Sequence, residues 1–407
     1  MQLQHSVPFD PSAGESSFFD SFPSQAAVFT ISLASSAAQD AGAPPYLSRS
    51  TNLARRLKRL LGLRPPVADA SRAPSLPASS RRLSLRAIAR RVDYQVVGSN
   101  FEARWTLYLL NQLHYPRTYR QRLRLKPPAL LKLNLENRFP RCYPTRRIAR
   151  GGARYYGPFP TRLAAERFAA EFLDLFKIRR CVEDLNPDPA HPGCIYSQMR
   201  MCLAPCFQGC TDGEYQEEVG RVIAFLDTEG QSLSRALERE RAQSSEALDF
   251  EQAARLHRRL EKVEEVLRLR PGLVRNLAEF HSIVVQRGAE PKSVAFFRVS
   301  AGVMRGPVTL SLDERVSSPV PLDEQIRKLL DSIGPATETP SGGAGRPSAP
   351  NSSPSWEHLS LLARWYYSSF REGELIMLPA SNEIPHARLI RLCRKLIAPA
   401  VPEGVKQ

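Results

Sequence analysis

The stretch CVEDLNPDPAHPGCIYSQMRMCLAPC, residues 181–206, gathers four of the chain's seven cysteines into one Pro-rich segment. Cys181, Cys194, Cys202 and Cys206 are separated by twelve, seven and three residues. Thiolates grouped in this way are soft ligands, and four of them suit zinc or an iron–sulfur cluster. A disulfide pair is the competing reading. It is weaker, because a long, core-forming chain lacks the size and cysteine density of a disulfide scaffold. A set of buried thiols with no ligand is the plainest alternative. Cys210 repeats the three-residue gap and offers a substitute ligand, but the first four form the favoured set.

The segment belongs to a chain of 407 residues, long enough for two or three domains, and an apolar fraction of 42% supports real cores. No apolar run reaches bilayer-spanning length, which excludes a membrane-embedded helix bundle. Asp10, Glu15 and Asp20 interrupt the N-terminus, which does not read as a signal peptide. A cytoplasmic protein is expected, with thiols kept reduced and free to hold metal. The net charge of +16 is unevenly placed: residues 49–154 carry 25 Lys/Arg against 4 Asp/Glu, leaving the remainder mildly acidic. Such a field is the footprint of a polyanion, nucleic acid first, and the planar guanidinium suits phosphate. The alternative is a solvated basic face without a ligand.

Outward from the cysteines, the patterns predict an α+β chain. Residues 1–25 read as a disordered tail. Alternation predicts a strand at 27–33 and another at Tyr46-Leu47. A helix follows from 51, with Thr51 or Asn52 as N-cap, a stripe of Leu53, Leu57, Leu60 and Leu61, and Gly62 as its stop. A flexible insertion spans 64–80. A strand at 92–98 and a helix at 101–113, with Glu102 in its first turn, complete an α/β domain over 26–128. A basic, cysteine-rich region covers 129–212, with a strand at 130–135, a Gly/aromatic turn at GGARYYGPF and a helix at 162–176. Helical patterns at 215–226 and 232–269, the second bent at Leu248-Asp249-Phe250, fill 213–270. The C-terminal α/β segment, 271–407, holds strands at 282–286, 293–299, 308–312 and 374–378. It also holds helices at 356–371 and 385–396 and a low-complexity linker at 334–355.

The run FPRCYPTRRIARGGARYYGPFPTRLAAERFAAEFLDLFKIRRC (139–181), with the cysteines after it, resembles the UvrC family of bacterial nucleotide-excision repair. It also resembles Cho, the shorter paralogue of the UvrC N-terminal half. Both show a PR…TRR…ARYFGPY-type stretch and a helix ending in a Leu/Phe-x-Ile-Arg-x-Cys turn. The resemblance runs from about residue 27 to about 270 and is specific over 137–270. It implies a 4Fe-4S cluster on Cys181, Cys194, Cys202 and Cys206; spacing alone leaves zinc open.

The run SSEALDFEQAARLHRRLEKV (244–263) is similar to the UVR motif, a helical hairpin by which UvrC docks on UvrB. Ala247, Leu248, Phe250, Ala253, Ala254 and Leu260 give apolar positions on two helices joined by a tight turn. The small alanines let the helices approach, and Phe250 is an anchor of the kind interfaces use. The resemblance makes Leu248, Phe250, Glu251, Ala253 and Ala254 the partner-binding residues. An ordinary αα-hairpin packed in its own domain is the alternative. The motif's usual Arg-Asp is His257-Arg258 here, which bears on the partner's identity.

In UvrC and Cho the N-terminal domain is a GIY-YIG nuclease that cuts 3′ to a lesion. It needs a tyrosine, an arginine and a glutamate holding one divalent metal. The GIY tripeptide falls on Ala27-Val28-Phe29, and YIG falls on Tyr46-Leu47-Ser48, followed by Arg49. Arg56 occupies the catalytic arginine's place. The metal glutamate's place is Leu107, five residues past Glu102, and the Asn of the closing Tyr-Asn pair falls on Tyr119. Leucine cannot bind Mg²⁺. The expectation is a degenerate GIY-YIG-like domain, with Tyr46, Arg56 and Glu102 as residual catalytic candidates and Mg²⁺ relevant only if cleavage survives.

The basic surface (Arg55, Arg56, Arg59, Arg90, Arg91, Arg117, Arg120, Arg122, Arg124, Lys126, Arg146, Arg147 and Arg150) is expected to meet phosphates, Arg55, Arg59, Arg117, Arg120, Arg146 and Arg147 foremost. UvrC's 5′-incising RNase H-like domain has no counterpart in the sequence, so that activity is expected to be absent. The leading reading is a UvrC/Cho-like repair protein that binds DNA, docks on UvrB and cuts poorly or not at all. The others are a Cho-like metal-dependent 3′ endonuclease with a rearranged site, and a regulatory protein whose hairpin binds another partner.

Overall fold

The computed structural model describes residues 2–11, 15–34, 44–62, 84–149, 151–183, 185–312, 320–334, 355–379 and 381–398. Its first module holds β1 (His5–Pro8), α1 (Glu15–Asp20), β2 (Ala27–Leu33), β3 (Tyr46–Ser50), α2 (Leu53–Leu61), β4 (Ala89–Val96), α3 (Asn100–His114) and α4 (Tyr119–Arg122). The strands form an antiparallel sheet in the order β1-β4-β2-β3. Alternation on β2 sends Phe29 and Ile31 to Leu53, Leu57 and Leu60 of α2, and Val28 to Leu47, Ala103 and Leu110 on the α3 side. Helix α2 starts where expected: Asn52 Oδ1 accepts the Arg55 N–H at 2.9 Å. The expected tail at 1–25 is corrected. β1 pairs with β4, and Phe9, Phe19 and Phe22 are buried under α2, because three aromatic rings bury more apolar area than so short a segment can leave in water. The insertion predicted at 64–80 lies outside the described residues.

The middle module holds β5 (Ala129–Leu133), β6 (Cys142–Thr145), β7 (Arg154–Phe159), α5 (Arg162–Leu173), α6 (Ile195–Gln198), α7 (Asp212–Asp227), α8 (Gln231–Glu246), α9 (Phe250–Arg268) and β8 (Arg275–Asn276). Its sheet runs β6-β5-β7-β8, antiparallel throughout. The Gly/aromatic turn expected at GGARYYGPF is instead largely strand. Tyr156 and Phe159 enter the core beside Phe168 and Phe172, and Gly157 leaves room where a Cβ would sit 2.4 Å from Leu130 Cδ2. The helical pattern drawn with a bend at 248–250 is two helices, α8 and α9, joined by the tight turn that residues 244–263 led one to expect. Leu248 takes φ +58° and Asp249 Oδ1 caps α9 through the Gln252 N–H at 3.0 Å. The chain reverses there, so that Arg241 of α8 lies 3.2 Å from His257 of α9.

The last module holds β9 (Ser282–Arg287), β10 (Ser293–Ser300), β11 (Val303–Ser311), α10 (Leu322–Ser332), α11 (Trp356–Tyr366), β12 (Glu374–Met377) and α12 (His386–Ile397). Strand order is β11-β10-β9-β12, antiparallel. Helices α10 and α12 cover one face through Ile326, Leu330 and Leu389 against Val285 and Phe296. On the other face α3 and α11 place Phe101, Trp105, Leu359 and Trp365 against Val284, Ala295 and Phe297. β10 is therefore buried along its whole length. Helix α10 has no counterpart in the predicted elements, and most of the linker at 334–355 lies outside the described residues.

The boundaries drawn at 128 and 271 are not borne by the packing. α3 is buried between two sheets, β8 joins the middle sheet, and a Cβ on Gly98 would lie 2.2 Å from the Gly288 carbonyl. Among the described residues the chain is α+β, with three antiparallel four-stranded sheets and twelve α-helices. No helix among them is long and apolar enough to cross a membrane.

Candidate nucleic-acid interface and thiol centre

Tyr46 opens β3 and Arg56 lies in the first turn of α2, so two short elements bring them together: Arg56 Nη2 donates to Tyr46 Oη at 3.2 Å. Glu102 stands apart from that pair. Ser99 Oγ accepts its N–H at 3.1 Å, and Glu102 Oε2 accepts the Gly98 N–H at 2.9 Å, closing the start of α3. Burial raises the Glu102 pKa, and the Gly98 N–H works against that rise. No hydrogen bond or ion pair among the described residues joins Glu102 to Tyr46 or Arg56. Leu107 packs onto the cluster of Val28, Leu47 and Leu110, so a hydrocarbon serves the seam between α3 and the first sheet.

Arg55, Arg59, Arg117, Arg146 and Arg147 are exposed, and none has a carboxylate partner among the described residues. Arg150 lies outside them. Arg120 is engaged otherwise than expected. Its Nε donates to Glu357 Oε1 at 2.7 Å, alongside the hydroxyls of Tyr119 at 2.8 Å and Tyr108 at 2.7 Å. Burial works to raise the Glu357 pKa, but the hydrogen bonds from Tyr108, Tyr119 and Arg120 outweigh it and hold the carboxyl below its usual range. Arg120 thus ties α4 to α11. A second arginine group was not foreseen as such. Arg49 donates to Asn100 Oδ1, and Arg104 and Arg364 lie close enough for their charges to act on one another. Their sequence separation hid them.

The four cysteines are all free; Cys206 is buried, and Cys181, Cys194 and Cys202 are half-buried. Ala204, at φ +58°, turns its N–H onto Cys202 Sγ at 3.3 Å. Burial, with the neighbouring Cys181, Cys206 and Cys194 behind it, pushes the Cys202 thiol up to about 11. All four thiols therefore share one electrostatic neighbourhood. Cys210 differs: after burial, its strongest neighbours are Glu214 and Asp212. Among the described residues no three His, Cys, Asp or Glu are gathered closely enough to hold an ion as they stand. Four thiols are, as donors, a soft set.

At the hairpin tip Leu248 is 72% and Phe250 65% exposed. Glu251 and Ala254 are also exposed and Ala253 is half-buried, so the expected partner-binding residues lie in the turn at Leu248 and at the start of α9.

Residues 129–225 match the family model of the UvrC/Cho excinuclease middle domain, a stretch that holds β5–β7, α5 and all four cysteines. The UvrABC system protein C of Methanothermobacter thermautotrophicus is 29% identical over 193 residues, 45% of this chain and 32% of the relative. That of Moorella thermoacetica is 31% identical over 169 residues, 41% and 25% of the two chains. That of Corynebacterium diphtheriae is 28% identical over 247 residues, 60% and 36%. The chain thus spans about a third of the length of the curated relatives it matches. No solved structure matches it. Residues 129–225 of this chain are thus similar to the middle domain of the UvrC/Cho excinuclease family, and the chain resembles UvrABC system protein C over part of its length.

Proposed function

We propose that the chain is a UvrC/Cho-like factor of nucleotide-excision repair. In this reading it binds DNA through its arginine-rich face and docks on a UvrB-like protein through the α8–α9 tip, with little or no nuclease activity. The observation that carries the reading is the middle-domain match at 129–225, which contains the full thiol set. Cys181, Cys194, Cys202 and Cys206 would hold a 4Fe-4S cluster, with zinc as the alternative. When bound, such a cluster cross-links the loop and can pass single electrons. Arg55, Arg59, Arg117, Arg146 and Arg147, exposed and without a carboxylate partner among the described residues, support phosphate contact. Residues 26–128 are read as a GIY-YIG-like remnant that keeps the Tyr46–Arg56 pair. Leu107, packed into the seam, offers no oxygen to a hard cation, and Glu102 is occupied at the start of α3.

The test is damaged-duplex binding by the anaerobically purified full chain, with and without a UvrB-like protein. Tighter damage-dependent binding in the partner's presence is expected. Equal affinity for damaged and intact duplex, with no effect of the partner, would sink the reading.

A further inference from the structure

We infer that Arg49, Arg104 and Arg364 together bind a nucleic-acid phosphate across the seam between the first and last modules, with Phe370 beside them offering a ring to an unpaired base. The inference deepens the nucleic-acid reading above and gives the last module a part in it.

Asn100 and Arg104 are four residues apart on α3 and share a face. Arg49, from β3, donates to Asn100 Oδ1 and so stands on that face. Trp365 of α11 packs on Phe101 with ring centroids 4.9 Å apart, which carries Arg364 alongside, and Arg364 Nη2 donates to the Arg124 carbonyl at 2.9 Å. Arginines from three elements of two modules therefore line one seam, near enough for the charges of Arg49 and Arg364 to act on Arg104. None is paired with a carboxylate among the described residues. Glu372 reaches the edge of the group but gives its oxygen to the Asn100 N–H at 3.3 Å.

Burial first, then the charges of Arg49 and Arg364, lowers the Arg104 pKa. Like charges held together weaken a fold unless an anion enters between them, and phosphate oxygens match the guanidinium fork. Phe370, two residues before Glu372, is 94% exposed and serves no core. An exposed aromatic ring on the segment that leads to Glu372, whose carboxylate meets the Asn100 N–H, is of the kind that single-strand binders use to stack a base.

The experiment compares the full chain with Arg364→Gln, Phe370→Ala and Arg391→Gln. Arg391 is exposed on α12, across the last sheet, and controls for net charge. Affinity for a fluorescent duplex with an unpaired bubble is measured over a salt series. Arg364→Gln should make the slope of log K against log salt shallower by about 0.9, the value of one phosphate contact, while Arg391→Gln leaves it unchanged. Phe370→Ala should weaken bubble binding roughly tenfold at constant slope. Unfolding midpoints in inorganic phosphate and in chloride, at equal ionic strength, separate the sources of the anion. Phosphate should raise the wild-type midpoint and not that of Arg364→Gln, and in chloride Arg364→Gln should be no less stable than wild type. An unchanged slope in Arg364→Gln with wild-type binding intact overturns the inference, as does a loss of stability in chloride. Phosphate stabilisation through Arg364 without nucleic-acid binding would keep the anion site and end the nucleic-acid reading. No response to either ligand ends both.

Discussion

Removing the two apolar side chains at the hairpin tip should cost partner binding and leave the fold intact. Burying a Phe or Leu side chain completely is worth about 1.5–3 kcal/mol. Phe250 is 65% and Leu248 72% exposed, so roughly two-thirds of that remains for a partner to claim at each position. Phe250→Ala should therefore weaken binding to a UvrB-like protein by about 1–2 kcal/mol, or 5- to 30-fold. The Leu248→Ala/Phe250→Ala pair should lose about 2–4 kcal/mol. Neither side chain is held in the core, so the urea midpoint should move by no more than about 0.5 kcal/mol equivalent. Titration calorimetry with the purified partner reads the first quantity and urea unfolding the second. An affinity unchanged in the double variant, or lost only together with stability, would refute the tip as a docking surface.

Glu357→Ala strips Tyr108, Tyr119 and Arg120 of a shared acceptor and should lower the unfolding free energy by about 1–3 kcal/mol, read from the urea midpoint. Because the folded pKa of Glu357 is depressed, its contribution is complete above the unfolded carboxylate range and fades as pH falls through the folded value. Glu357→Gln should flatten that acid limb. Elemental analysis of anaerobic protein should show metal lost in Cys206→Ser and kept in Cys210→Ser, with absorbance at about 400 nm following iron. Mg²⁺-dependent nicking of damaged duplex should not exceed that of Glu102→Ala. Gly98→Ala forces a methyl to 2.2 Å from the Gly288 carbonyl and should cost about 1–3 kcal/mol, seen as earlier proteolysis between the first and last modules.

Local signals in the chain were sufficient where one element answers to its own residues. The Asn52 cap, the leucine stripe of α2 and the alternation of β2 each depend on neighbours within a few positions, and each stands as read. The reversal at Leu248 was legible in residues 244–263 as two helices joined by a tight turn, although the pattern over 232–269 read alone gave only a bend. Residues 5–8 carry no strand signal of their own; they became one because β4 presents an open edge. The aromatic stretch at 154–159 could not be told from a turn, since its strand character comes from burial against α5 and α7.

By itself, then, the sequence determined the α+β class, the cap and leucine stripe of α2 and the paired helices α8 and α9, all of which rest on short-range pattern or composition. Tertiary structure alone decided that α3 is shared between two sheets, that Arg120 answers Glu357, and that Arg364 of α11 reaches the Arg124 carbonyl beyond α4. Those hydrogen-bonded partners lie up to 240 residues apart along the chain. A side chain's local pattern states what it can offer, while packing across the whole chain selects which neighbour receives it.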